Sequence, residues 1–327
     1  MTLREILKSK WPGRVLLAIV LITIGYTLGK NLLSLNTEDF QLHPAVLLLS
    51  LVFAILSHLV HFLNWILVTL TFGIQRPLIS SGKAYFVSRL GRYVPGKVTL
   101  LIMRFNEYKM YSRRAVIMAM SVDYISSLAA AGLVVLIGVF AAHGLLPEYI
   151  RHASLISSIV FLLALYPPFL RRLSNWVLTL LKRPTFEILP TYPKMLFFVG
   201  LKVCAALLQG ITFFLLLRGL APVEIRYYLV TTGVYYAAGL IGIAALFAPQ
   251  GLGVTEGVLY LVLSTFLPKP AVVVAALLIR VIVSLTELLL AAVFSILDRQ
   301  SSRRNSISPC ALSNEESENA AKRTGLL

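Results

Sequence analysis

The sequence predicts an all-α fold, a polytopic integral membrane helical bundle of about eight transmembrane spans with re-entrant or broken segments. Three observations lead there. Of 327 residues, 58% are hydrophobic and 13% charged, whereas a soluble chain carries roughly 25% charged residues. The apolar residues gather in runs of the length that crosses hydrocarbon, about 20 residues. The lysines and arginines crowd into alternate connections between those runs. A mean hydropathy of +0.83 excludes a soluble enzyme, a disordered chain and a fibrous one.

The first apolar run covers 15–33 and follows Arg4, Lys8, Lys10 and Arg14. A basic start before an apolar run also describes a signal peptide. This run is long for one and shows no small-residue cleavage site, so it reads as a retained first span. Further runs cover 45–72, 115–142, 153–170, 195–217 and 227–247. After Ala248-Pro-Gln-Gly-Leu-Gly253 comes a shorter stretch, 254–267, counted here as a seventh crossing. The last run, 271–297, ends at Asp298-Arg299. Residues 1–298 thus form one transmembrane domain. Residues 299–327, rich in Ser, Asn and Glu, read as a disordered cytoplasmic tail.

Charge sets the expected orientation. The formal net charge is +16, which in a soluble chain would point to nucleic acid. Here it points to cytoplasmic loops facing anionic lipid, with no nucleic-acid partner. The N-terminus is basic and the loop 34–44 has no Lys or Arg, whereas the stretch 73–114 is strongly basic. Arg171, Arg172, Lys182, Arg183 and Lys194 crowd the connection after the fourth run, and Arg299, Arg303 and Arg304 open the tail. Both termini are therefore expected in the cytoplasm of a multi-pass protein of the inner or plasma membrane. Two cysteines, Cys204 and Cys310, give no disulfide framework or zinc cluster. There is no P-loop and no dinucleotide fingerprint. No cofactor, metal site or catalytic residue is expected.

Three places break the apolar pattern. The segment 82–97 drawn as a helix puts Tyr85, Ser88, Arg89 and Arg92 on one face and Phe86, Val87 and Leu90 on the other, before Pro95-Gly96 stops it. Such a piece lies in the interface or enters the membrane partway. Arg89, Arg92 and Lys97 suit a lipid phosphate, because guanidinium groups grip phosphate oxygens two at a time. The plainer alternative is an ordinary basic loop. The second break is Pro249, Gly251 and Gly253 followed by Glu256-Gly257. Discontinuous spans expose helix ends at membrane depth, although a simple loop with Glu256 at a helix start is also open. Third, Arg280 lies within the last run with Ser284 and Glu287 on the same face. A charge there calls for a partner; Glu256, Glu287 and Asp123 are available, and Glu256 is expected to face Arg280 across the interior. His58, His61 and Asn64 are spaced for a metal, haem or proton relay, but read more simply as a polar interior stripe.

Arg92-Tyr93-Val94-Pro95-Gly96-Lys97, followed by Arg104, resembles the R-Y-[LIV]-P-G-K signature of the lysylphosphatidylglycerol synthase/flippase transmembrane-domain family. The run Pro249-Gln-Gly-Leu-Gly-Val-Thr-Glu256-Gly257 is similar to that family's P-G-G-L-G-x-x-E-G motif, and Arg280 matches its arginine in the following span. Asp123 stands where members often carry glutamate, and Gln250 where glycine is common. The resemblance runs from the first span to about Asp298. It implies an inner-membrane protein with the flippase-like unit of the synthases, without their cytosolic aminoacyl-transferring domain. On that basis Arg89, Arg92, Tyr93, Pro95, Gly96, Lys97 and Arg104 are expected to bind lipid phosphate. Asp123, Pro249, Gly251, Gly253, Glu256, Gly257, Arg280 and Glu287 are expected at a cavity or broken helix.

The function expected is a lipid translocase or lipid-binding carrier for an anionic phospholipid or a polyprenyl-phosphate-linked sugar, and not an enzyme. The alternatives are a membrane transferase with Asp123 or Glu256 as base, and an accessory subunit. Expected partners are membrane lipids and, in the accessory case, a glycosyltransferase or lipid synthase.

Overall fold

The computed structural model describes residues 44–93, 99–142, 190–244, 251 and 253–323, with isolated helical positions between 148 and 172. Among the described residues there are eight α-helices and no strand. They are α1 (Pro44–Thr71), α2 (Leu78–Arg89), α3 (Thr99–Glu107), α4 (Arg113–Ala141), α5 (Tyr192–Leu220), α6 (Tyr228–Ala244), α7 (Val254–Leu263) and α8 (Lys269–Arg323). A 3-10 turn, Leu90–Tyr93, prolongs α2, and another, Ile225–Tyr227, leads into α6. The chain is a multi-pass membrane protein: α1, α4, α5, α6 with its leading turn, and α8 as far as Ser301 are long and apolar enough to cross a bilayer. The runs expected at 15–33 and 153–170 lie outside the described residues.

Helix α1 shows how sequence assigns faces. Pro44 begins it, its ring already set for a helical start. Leu48, Val52, Leu56, Leu59, Leu63 and Leu70 are exposed on one stripe, at the three- and four-residue steps of a helix face. Ser50, Ala54, Ser57, His58, Asn64 and Trp65 fill the opposite one. An exposed leucine stripe over a polar interior inverts the soluble pattern and suits hydrocarbon outside. The interior face of α1 packs on α5, where the Ser57 hydroxyl donates to the Ala205 carbonyl at 2.8 Å. Close packing recurs where α4 crosses α6. A Cβ on Gly138 would fall 2.6 Å from the Gly233 Cα and 2.8 Å from the Leu229 carbonyl oxygen, so only small residues allow this approach.

Two hairpins enter the bundle from opposite ends, one of two short helices and one that pairs the span-length α6 with the short α7. Strong basic clustering marks one end, where Lys83 meets Asp298 at 2.8 Å and Arg76 meets Glu107 at 3.5 Å. From that end α2 runs inward, and α3 returns so that Tyr108 accepts from the Trp65 indole N–H at 2.8 Å. With 12 and 9 residues, neither spans a membrane, since each covers only about 14–18 Å at 1.5 Å per residue. From the other end α6 runs inward and α7 comes back. Gly251 and Thr255 lie against Gly242 near the tip, and the Tyr227 and Phe266 rings stack 5.5 Å apart at the base.

Two expectations change. The stretch 254–267 is not a crossing in its own right: α7 has 10 residues, about 15 Å, half the hydrocarbon thickness. Hydropathy registers apolar content and misses that α7 is the return arm of a hairpin. Next, α2 is not laid in the interface with one face wet. Tyr85, Ser88 and Phe86, from both drawn faces, are all buried, because α8 covers the aromatic face with Phe294, stacked 5.4 Å from Phe86.

Candidate functional site

The inward arms bring charge to the middle of α8. Arg280, Glu287 and Asp298 are seven and eleven residues apart, so they lie along one line of that helix. Each position in this line is paired. At the basic end Asp298 accepts from Lys83 at 2.8 Å and from the Ser80 hydroxyl at 2.6 Å. Eleven residues inward, about 16 Å, Glu287 is fully buried and holds the tip of the α2–α3 arm. Arg89 Nε donates to its Oε1 at 2.8 Å and Arg92 reaches its Oε2 at 2.6 Å. His58 Nε2 lies 3.3 Å from Oε1, and its Nδ1 lies 2.8 Å from the Ala54 carbonyl.

Arg104 underpins this centre without touching a carboxylate. Its Nε donates to Ser88 Oγ at 3.1 Å, and its guanidinium lies 4.1 Å from the Trp65 ring centroid and 5.1 Å from that of Tyr85. Aromatic faces attract a cation and exclude water together. Tyr85 also accepts from Arg89 at 2.9 Å, so one tyrosine ties both arginines to the α2 backbone. Nearby, outside the spans, burial raises the Tyr108 phenol above its ordinary value.

A second pair crosses from α4 to α5. Lys202 Nζ lies 2.6 Å from Asp123 Oδ1, and Asn64 Nδ2 donates to the same oxygen at 2.9 Å. Lys202 is 2% exposed, and buried lysine is rare without a partner. The third pair sits at the α6–α7 tip. Glu256 Oε1 contacts Arg280 Nε, while its Oε2 accepts from the Gly253 N–H at 2.8 Å and caps α7. Arg280 also donates to the Gly251 carbonyl at 3.3 Å. Gly251 and Gly253 have φ of +66° and +81°, a region glycine enters freely, which turns those backbone groups toward Glu256 and Arg280.

Of the partners the sequence offered Arg280, the structure selects Glu256. Glu287 serves the α2 arginines and Asp123 serves Lys202. Glu256 fills both roles considered for it, helix start and ion-pair partner. His58 and Asn64 belong to a polar interior stripe, and among the described residues no cluster of His, Cys, Asp and Glu is arranged to hold a metal. Gly257 follows Glu256 in the first turn of α7, its N–H bonded to the Gly253 carbonyl at 2.9 Å. Pro95, Gly96, Lys97 and Pro249 lie outside the described residues, as does the side chain of Tyr93.

Lys202, Ser126, Gln209 and Trp65 were not singled out by sequence. Lys202 alone carried a signal, a cation in the middle of a 29-residue apolar helix. Among the described interior residues, Arg89, Arg92, Arg104 and Lys202 outnumber the carboxylates Asp123 and Glu287.

Residues 13–291 match the family model described as "Lysylphosphatidylglycerol synthase TM region". No curated protein matches the chain.

Proposed function

This chain belongs to the lysylphosphatidylglycerol synthase transmembrane-region family, and from that membership and the polar interior we propose that it binds a lipid by an anionic headgroup and carries it between leaflets. One observation carries the reading: two arginines at the tip of a re-entrant arm converge on one buried carboxylate, within an interior whose cations exceed its anions. A phosphate is the natural competitor for Glu287, because guanidinium groups bind carboxylate and phosphate oxygens in the same geometry. The exposed leucine stripe of α1 lets acyl or prenyl tails stay in hydrocarbon while the head crosses a polar interior. Covalent chemistry has no part in this reading.

On the same reading the basic end faces the cytoplasm of an inner or plasma membrane, because lysine and arginine gather on the cytoplasmic side. The test is a translocation assay with purified chain in phosphatidylcholine vesicles. Head-labelled phosphatidylglycerol is compared with head-labelled phosphatidylcholine, and dithionite reports the label's leaflet. The anionic probe should cross faster, and Arg92→Lys should slow it roughly tenfold, the cost of about one charged hydrogen bond. Equal rates for both probes, or no gain over empty vesicles, would overturn the reading.

A further inference from the structure

The Asp123–Lys202 pair is built differently from the other two. Both of its bonds fall on one carboxylate oxygen: Oδ1 takes Lys202 Nζ at 2.6 Å and the Asn64 amide at 2.9 Å. Oδ2 takes neither, and the aspartate side chain is 14% exposed where the lysine is 2%. Glu287, in contrast, has an arginine at each oxygen. Glu256 pairs with Arg280 through one oxygen and with the Gly253 N–H through the other. Of these three carboxylates, Asp123 keeps an oxygen on which a proton can sit without displacing a bond.

Charged and titratable groups surround the pair. His61 on α1 lies within electrostatic range of Lys202 and of Arg89 and Arg92 on α2, and Arg104 on α3 lies within range of Asp123. On α6 the Tyr228 hydroxyl donates to the Leu207 carbonyl of α5 at 2.9 Å, and on α8 Glu287 is held by the α2 arginines. Helices α4 and α5 start at the basic end with Arg113 and Tyr192, and Asp123 and Lys202 each stand ten residues further in, about 15 Å. That is close to the depth of Glu287, so a headgroup drawn to the arginines comes level with the ammonium.

Charge balance decides what must accompany that headgroup. A phosphate monoanion arriving at Glu287 meets two arginines, which leaves two cations against two anions. At Lys202 one ammonium already matches one carboxylate, so an added phosphate leaves an unmatched anion in a low-dielectric interior, which is costly. A proton on Asp123 Oδ2 removes the excess. The proton alone strands the ammonium and the phosphate alone strands an anion, so each favours the binding of the other, reciprocally.

We propose that Asp123 and Lys202 form a proton-coupling site, at which Asp123 takes up one proton as Lys202 exchanges its carboxylate for the lipid phosphate, and the chain carries proton and lipid across together. The proton passes from water to Oδ2 on one side. It returns to water on the other, when the phosphate leaves and Lys202 reclaims Asp123, so no net charge crosses. The inference rests on the anionic-headgroup reading above.

The test uses the full chain in strongly buffered phosphatidylcholine vesicles, with equal potassium on both sides and valinomycin to hold the membrane potential at zero. Head-labelled phosphatidylglycerol starts evenly divided between the leaflets, and its distribution is measured once it stops changing. One proton per monoanionic lipid makes the leaflet ratio the inverse of the proton ratio. A gradient of one pH unit should therefore enrich the probe about tenfold in the leaflet facing the alkaline side, and reversing the gradient should reverse the enrichment. A probe that the chain moves between leaflets, yet that stays evenly divided under the gradient, would overturn the coupling and leave the anionic-headgroup reading in place. A probe that crosses no faster than head-labelled phosphatidylcholine would overturn that reading, and the coupling with it. These comparisons need only the unaltered chain. The double variant Asp123→Asn, Lys202→Met strands no buried charge, and with it the probe should stay evenly divided under the same gradient. Tenfold enrichment surviving in that variant would overturn the assignment to Asp123.

Discussion

Charge removal at the Asp123–Lys202 pair should be worse singly than doubly. Lys202→Met keeps the length of the apolar stem and leaves Asp123 with only the Asn64 amide at its Oδ1. Asp123→Asn leaves an ammonium stranded on α5. The pair is close, 2.6 Å, with side-chain exposures of 2% for lysine and 14% for aspartate. Breaking a buried pair by removing one partner costs about 3–5 kcal/mol. The more deeply buried charge costs more to strand, so Asp123→Asn should destabilise at least as much as Lys202→Met. Independent effects would sum to about 6–10 kcal/mol in the double variant. If the penalty is a stranded charge, the double variant should cost no more than either single one. The coupling is then about 3 kcal/mol, roughly a hundredfold in the folding equilibrium. The assay is reversible unfolding of the purified chain in mixed micelles by SDS titration, followed by helical circular dichroism. Coupling below about 0.5 kcal/mol would show that the two sites act independently and refute the pairing argument.

Two further outcomes are expected. Arg280→Ala should lower the yield of folded protein, and Glu256→Gln in the same chain should restore part of it; the effect should be nearer 1 kcal/mol because both side chains are 20% exposed and partly screened, and strictly additive losses would end the idea. Reporter fusions after Asn36 and after Arg183 should report opposite sides of the membrane, and finding both on one side would discard the orientation read from the basic end.

Much of the fold was legible because the bilayer imposes a simple rule. A span must be long, apolar and internally hydrogen-bonded, so α1, α4, α5 and the apolar part of α8 could be read from hydropathy within a few residues of their ends. The breaks were legible too, because proline, glycine and charge are costly in hydrocarbon and mark the places where something else intervenes. What could not be read was the length and return of the short arms. A short helix that folds back along a span has the composition of part of a crossing, and only the Tyr227–Phe266 stack and the Gly242–Gly251 approach reveal α7 as folded back on α6.

The sequence by itself determined that charges stand at membrane depth and that each needs a partner. Arg280 had three candidate carboxylates, and the sequence favoured Glu256. Tertiary structure makes that pair by bringing the α7 start to Arg280 and sends the α2 tip to Glu287, two positions seven residues apart on one face of α8. It also recruited Lys202 to Asp123. The physical reason is range. Hydrophobic periodicity is local and can be read over one or two turns, whereas an ion pair at low dielectric is decided by contacts between residues far apart in the chain. Those contacts exist only after the helices have packed.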